Sequence, residues 1–178
     1  MAKKLIGEQR RQRIVAWLQA ENGPLTGTQL ADLTEVSRQV IVQDIALLKA
    51  KNEPIIATTQ GYIYQSTVAL SSQYEQVIAC QHHPEQTQDE LQLLVDHGVT
   101  VNNVIVEHAL YGEITAQLHI HNRKDVQAFI QKMHSTGASY LSELTHGVHL
   151  HTLCANSQEQ LDQAINSLQE AGFLVSDE

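Results

Sequence analysis

Thr26-Gly27-Thr28-Gln29-Leu30-Ala31-Asp32-Leu33-Thr34-Glu35-Val36-Ser37-Arg38-Gln39-Val40-Ile41-Val42-Gln43-Asp44-Ile45 is the stretch that decides the fold of the first third of the chain. Leu30, Ala31 and Leu33 recur at helical spacing, so a helix is expected from Thr26, and Thr34-Glu35-Val36 makes a short turn after it. Ser37 can cap free amides with its hydroxyl and starts another helix, with Val40, Ile41, Ile45, Leu47 and Leu48 facing inward. Upstream, residues 8–21 carry Ile14, Val15, Trp17 and Leu18 on one helical face, Trp17 as core, and Asn22-Gly23-Pro24 stops that helix. Downstream, two short strands are expected at 54–58 and 62–65, joined through Thr59-Gln60-Gly61. Three helices followed by a hairpin make a winged helix-turn-helix.

The charge distribution marks off that segment. The 178 residues carry a net charge of −9, which taken whole argues against a nucleic-acid binder, because phosphates want Lys and Arg. Residues 1–65 hold eight basic and six acidic side chains, a net of +2, whereas residues 66–178 hold three and fourteen, a net of −11, together with all ten histidines. Two domains with different tasks follow, residues 1–68 and 69–178, with a seam near 65–72 where small polar residues interrupt the pattern. No apolar run is long enough for a membrane span and the first residues lack a signal-peptide core, so a cytoplasmic protein with no membrane partner is expected. Cys80 and Cys154 are too few for a disulfide framework.

Beyond the seam, strand and helix signals alternate. Residues 74–82 are β-rich, Pro84 suits the first turn of a helix through Leu91, Leu93, Leu94 and Val95, and Gly98 ends it. Residues 99–107 read as a buried strand. Residues 113–121 alternate, with Ile114, Ala116, Leu118 and Ile120 on one face and Thr115, Gln117, His119 and His121 on the other. Asn122 caps a helix bearing Val126, Phe129, Ile130 and Met133; residues 146–154 form a further strand. Ser157 and Gln160 make a capping-box pattern for a last helix, closed by Gly172. The expected class is α+β: the winged helix-turn-helix, then an α/β sandwich with helices packed on a mainly antiparallel sheet.

Two surfaces could carry function. On the third helix, Ser37, Arg38, Gln39 and Gln43 face outward and offer the donors and acceptors that contact phosphates and base edges in a major groove. Lys49, Lys51 and the cluster Arg10, Arg11 and Arg13 would meet phosphates; the bland alternative is an ordinary solvated helix face. In the second domain, His149-Leu150-His151 has the i, i+2 spacing that projects both imidazoles from one face of a strand, and imidazole with carboxylate suits a divalent metal, although exposed histidines on a sheet are commoner. Cys154 has the opposite parity, and His82 and His83 stand where a strand meets a helix, followed by Glu85, Asp89 and Glu90. His97, His119, His121, His134 and His146 read as surface residues, and Leu91–Val95 as helix core.

Residues 82–91, 106–113 and 147–152 resemble, in order, the histidine-bearing motifs of the three-histidine ligand-sensing domain. In niacin-responsive transcriptional repressors that domain follows a winged helix of the biotin-repressor type, and the resemblance spans about residues 8–175. It implies a homodimeric repressor that binds operator DNA with nicotinic acid as co-repressor and so controls niacin uptake or NAD-synthesis genes. It further implies that His82, Glu90, His149 and His151 hold a divalent transition metal, with zinc, nickel, iron and manganese not distinguished, and that His108, Tyr111 and Gly112 lie near the effector. The chain departs from the pattern in carrying His83 beside His82, which leaves the first ligand ambiguous though Pro84 favours His82, and Ala109 where a proline follows the middle histidine. The rival reading is a metal-dependent hydrolase with a DNA-binding-like appendage, since open His/Glu sites also activate water. No Gly-rich phosphate loop, Gly-x-Ser-x-Gly elbow or His-Glu-x-x-His helix supports it.

Overall fold

The computed structural model describes residues 7–65 and 74–176. The chain divides into two compact units, Met1–Ala69 and Leu70–Glu178; the expected seam falls largely on 66–73, outside the described residues.

The first unit is α1 (Gly7–Ala20), α2 (Gly27–Thr34), α3 (Arg38–Ala50) and a hairpin of β1 (Ile55–Thr58) and β2 (Gly61–Tyr64). Thr26 starts α2 with a reciprocal cap: its hydroxyl accepts from the Gln29 amide at 3.1 Å, and the Gln29 side chain accepts from the Thr26 amide at 2.8 Å. Glu35 turns left-handed at φ 55° and ends the helix, and Ser37 accepts from the Val40 amide to start the next. Ile14, Leu18, Leu25, Leu30, Ile41, Ile45, Leu48 and Ile55 close the core, with Trp17 packed against it. At about 1.5–3 kcal/mol for each large aliphatic side chain taken from water, that cluster is what the capped helices are held by. Leu47, expected to face inward, is exposed instead, because the inward row of α3 is Ile41–Asp44–Ile45–Leu48; Leu33, which shares the helical spacing of Leu30 and Ala31, is exposed too.

Gly61 locks the wing to the rest of the unit. Leu25 and Tyr62 exchange backbone hydrogen bonds of 2.9 and 2.7 Å, and a Cβ on Gly61 would lie 2.6 Å from the Leu25 carbonyl oxygen, so only glycine lets the strands approach.

The second unit contains β3 (Tyr74–Gln81), α4 (Thr87–Asp96), β4 (Thr100–His108), β5 (Gly112–Ile120), α5 (Arg123–Thr136), β6 (Val148–Ala155) and α6 (Gln158–Glu170). The strands form one antiparallel sheet in the order β3-β6-β4-β5. Leu91 and Leu94 of α4, Val126 and Ile130 of α5, and Leu161 and Leu168 of α6 pack with Ile78, Cys80, Val101, Ile120 and Leu153 of the sheet. This is the expected α+β arrangement of helices on an antiparallel sheet.

Several boundaries differ for identifiable reasons. Pro84 opens a 3-10 turn, Pro84–Gln86, before α4 proper begins, and a second 3-10 turn, Leu141–Thr145, stands in a stretch with no helical period. β6 begins at Val148 rather than 146, because His146 and Gly147 are both left-handed, at φ 54° and 90°. β4 is not a uniformly buried strand: only Val101 and Val106 within it are fully covered, and its register against β6 slips by one residue between Val101 and Ile105. A bulge of this kind bends the strand and frees backbone groups from the ladder.

Candidate metal centre

β3 and β6 pair so that Cys80 stands opposite His149 and Ile78 opposite His151. Side chains alternate along a strand, so this register sends both histidines and Cys80 to the helix-covered face. His82 continues the parity of Cys80 just past the end of β3, and the turn at Pro84 brings the first turn of α4, with Glu90, back over them. His82 Nε2 lies 2.7 Å from Glu90 Oε2, His149 Nε2 lies 3.3 Å from Oε1, and His151 Nε2 lies 3.5 Å from Oε2. All four residues are buried, Glu90 completely.

The outer nitrogens of the rings are fixed by the backbone. Nδ1 of His82 bonds the His83 carbonyl at 2.8 Å, Nδ1 of His149 the Gly147 carbonyl at 2.8 Å, and Nδ1 of His151 the Asn103 carbonyl at 2.6 Å. A carbonyl only accepts, so each Nδ1 carries the proton and each Nε2 points its second valence at Glu90. The Asn103 carbonyl is available because of the β4 bulge, and the Asn103 side chain accepts from the Thr152 amide at 2.9 Å. At Gly147 a Cβ would lie 2.3 Å from the His82 carbonyl oxygen, so the start of β6 and the end of β3 meet at van der Waals limit.

A fully buried carboxylate costs several kcal/mol unless positive charge faces it. Burial pushes Glu90 upward, but His151, His149 and His82 outweigh it and hold the carboxyl well below its usual range. Burial likewise pushes His82 and His151 downward, and the Glu90 carboxylate outweighs it and raises both. Three inward nitrogens and a carboxylate need protons or a cation between them. Imidazole and carboxylate suit borderline divalent ions, and carbonyl-oriented rings are the usual outer shell of a histidine metal site, so the donor set fits a metal.

The paired histidines were ambiguous in sequence; the structure puts His82 inside, while His83 is exposed and its amide donates to Gln86 Oε1 at 3.1 Å. Two residues of this cluster escaped the sequence reading. Cys80 shares the parity of His82, and its thiol, Glu90 and His149 present donor atoms within 4.8 Å of one another. Asn103 could have been suspected from Asn102-Asn103 inside a strand, where Asn is disfavoured. Cys154 lies on the opposite face, taking a hydrogen bond from Asn102 Nδ2 at 2.9 Å.

His108, Tyr111 and Gly112 sit at the β4–β5 hairpin turn, none of them buried. His108 Nδ1 accepts from the Leu110 and Tyr111 amides at 3.2 and 3.3 Å, which places its proton on Nε2, and the Tyr111 ring stands 5.0 Å away. Of the histidines assigned to the surface, His121, His134 and His146 are exposed, but His97 and His119 are half-buried. His97 meets Ser167 Oγ at 3.0 Å, and His119, at φ 54°, occupies the irregularity of β5 opposite Val101–Asn103.

In the first unit Ser37, Arg38, Gln39 and Gln43 are exposed on α3, with the Ser37 oxygen engaged as helix cap. Arg10 and Arg11, expected to meet phosphates, are instead tied to the buried Asp44. Arg10 Nε lies 2.5 Å from Oδ2 and Arg11 Nη1 3.3 Å from Oδ1, with Arg11 also 2.6 Å from Glu8. Lys51 reaches Glu8 at 3.4 Å, while Arg13 and Lys49 are exposed. Among the described residues, no helix is long and apolar enough to cross a membrane.

A 3H domain model matches residues 75–177 and an HTH domain model matches residues 10–63. The chain is 55% identical over 175 residues to the transcription repressor NadR of Bacillus subtilis, spanning 98% of this chain and 97% of that protein. It is 36% identical over 177 residues to the probable transcription repressor NiaR of Thermotoga maritima, spanning 99% of each.

Proposed function

From the premise that this chain belongs to the 3H domain family and is a DNA-binding transcription repressor rather than an enzyme, we propose that nicotinic acid is its co-repressor. Its targets on this reading are niacin-uptake or NAD-synthesis genes, and it acts as a homodimer. The observation that carries the reading is the buried quartet His82, Glu90, His149 and His151, its three imidazole Nε2 atoms aimed at Glu90 by backbone carbonyls on Nδ1, in a chain that also presents an exposed reader helix.

His82, Glu90, His149 and His151 would hold a divalent ion, with zinc, nickel, iron and manganese all compatible. Bound there, such an ion would supply a Lewis acid able to accept the ring nitrogen or the carboxylate of a pyridine carboxylate. His108, with its proton on Nε2, offers a donor suited to the other end of the effector, beside Tyr111 and Gly112. Ser37, Arg38, Gln39 and Gln43 read the operator, and a dimer places two such helices about 34 Å apart in successive major grooves. The effector acts by binding the DNA-competent arrangement more tightly; a tenfold gain in operator affinity corresponds to about 1.4 kcal/mol of coupling.

Fluorescence anisotropy on promoter DNA from niacin-transport or NAD-synthesis genes tests the proposal, with and without nicotinic acid and after chelation. Tighter specific binding with nicotinic acid, lost on chelation, is expected; specific binding indifferent to nicotinic acid would overturn the co-repressor assignment.

A further inference from the structure

We propose that Cys80 is itself a ligand of this centre, its sulfur joining Glu90 and His149 on the ion; this rests on the reading of the site as a metal centre. Two atoms bonded to one ion can be no farther apart than the sum of their bonds, about 4.3 Å for one zinc–sulfur and one zinc–nitrogen bond. The Cys80 thiol, a Glu90 oxygen and a His149 nitrogen already lie within 4.8 Å of one another, so approaches of about 1 Å bring all three to the roughly 3.5 Å separations of a tetrahedral centre. Strand register, not chance proximity, holds the sulfur there: Cys80 is the residue directly opposite His149 on β3.

Cys154 provides the internal contrast. It is also buried, but on the other face of β6, with its sulfur engaged by Asn102 and, at 3.5 Å, by Glu75. Cys80 sits among Leu, Ile and Val side chains of the core, and the polar groups its sulfur meets are those of the metal cluster.

On metal entry the S–H bond breaks, a sulfur–metal bond forms, and the proton leaves to solvent, so one proton more is released than His and Glu ligands alone account for. A thiolate among imidazoles shifts preference toward zinc, cobalt and nickel and away from manganese, which favours oxygen donors.

Cobalt(II) titration of the full chain provides the test. Visible ligand-field bands report any occupied site, and a near-ultraviolet sulfur-to-cobalt charge-transfer band reports thiolate ligation. One equivalent of cobalt should raise both. Cys80→Ser should lose the sulfur band, keep the visible bands and bind cobalt at least tenfold more weakly, while Cys154→Ser should keep everything. Zinc-edge X-ray absorption of the unmutated chain gives the same answer without a variant, as a sulfur shell near 2.3 Å beside nitrogen and oxygen near 2.0–2.1 Å. Visible bands without the sulfur band, or a nitrogen and oxygen shell alone, would reduce Cys80 to an S–H donor toward Glu90 and overturn the proposal while leaving the metal centre standing. Failure to take up cobalt or zinc at all would remove both.

Discussion

Gly147→Ala perturbs the candidate metal centre without replacing any of its proposed ligands. The backbone there has φ 90°, a conformation costing an L-residue about 1–2 kcal/mol, and the new Cβ would sit 2.3 Å from the His82 carbonyl oxygen. That overlap is about 1 Å inside ordinary contact and involves backbone on both sides, so relief requires β3 and β6 to part at the site; overpacking of this kind adds about 1–3 kcal/mol. A total near 3 kcal/mol, at a urea slope of about 2 kcal/mol/M, lowers the unfolding midpoint by about 1.5 M. Circular dichroism should follow the transition, since the single tryptophan, Trp17, belongs to the other unit. Gly137→Ala is the matched control: φ is 63° and nothing lies within 4 Å of the added carbon, so only the conformational cost of about 1–2 kcal/mol remains. Metal affinity should fall in Gly147→Ala and hold in Gly137→Ala. Equal destabilisation of the two variants, with equal metal affinity, would refute the argument that the His82 carbonyl is seated against Gly147.

Asp44→Ala should cost about 3 kcal/mol by urea unfolding monitored at Trp17, because Arg10 and Arg11 lose a partner that is 2% exposed; a loss under 1 kcal/mol would mark the pairs as surface decoration. Arg38→Ala and Gln39→Ala should each weaken specific operator binding by about 1–3 kcal/mol with the melting curve unchanged; unaltered anisotropy isotherms would remove them from the reader surface. His149→Ala with His151→Ala should abolish stoichiometric metal by elemental analysis. In the unmutated chain metal affinity should rise with pH: His82 and His151 hold their protons above the usual imidazole range, and binding must displace them. Calorimetry in buffers of different ionisation enthalpy counts those protons, and zero release would contradict the assignment.

Local chemistry was readable wherever neighbours in sequence decide it. Ser37 and Asn122 cap their helices, Gly172 closes the last one at φ 76°, and the i, i+2 parity of His149 and His151 put both rings on one face. What escaped depends on partners far along the chain. Arg10 and Arg11 look like phosphate contacts until Asp44, more than thirty residues away, is seen to turn inward between them. Cys80 has meaning only through its register opposite His149, and the Asn103 carbonyl only through a bulge whose sequence trace is a pair of asparagines. Leu47 was misplaced because an apolar residue next to the inward stripe is indistinguishable from one on it when spacing alone is read.

The pairing of β3 with β6 makes the centre a check on its own assembly. Sliding one strand past the other by a single residue would bring Ala79 or Gln81 opposite His149 in place of Cys80 and break the Gly147–His82 fit. The donors come from the end of one strand, the first turn of α4 and the start of another strand, so a misregistered chain keeps only the His149–His151 pair of β6, without the Cys80 and His82 side of the site. An ion that binds only the correctly zipped sheet selects that register from the folding ensemble and lends it stability in proportion to ln(1 + [metal]/Kd). Metal supply would then govern how much of this chain exists in a form able to act, before any effector is sensed.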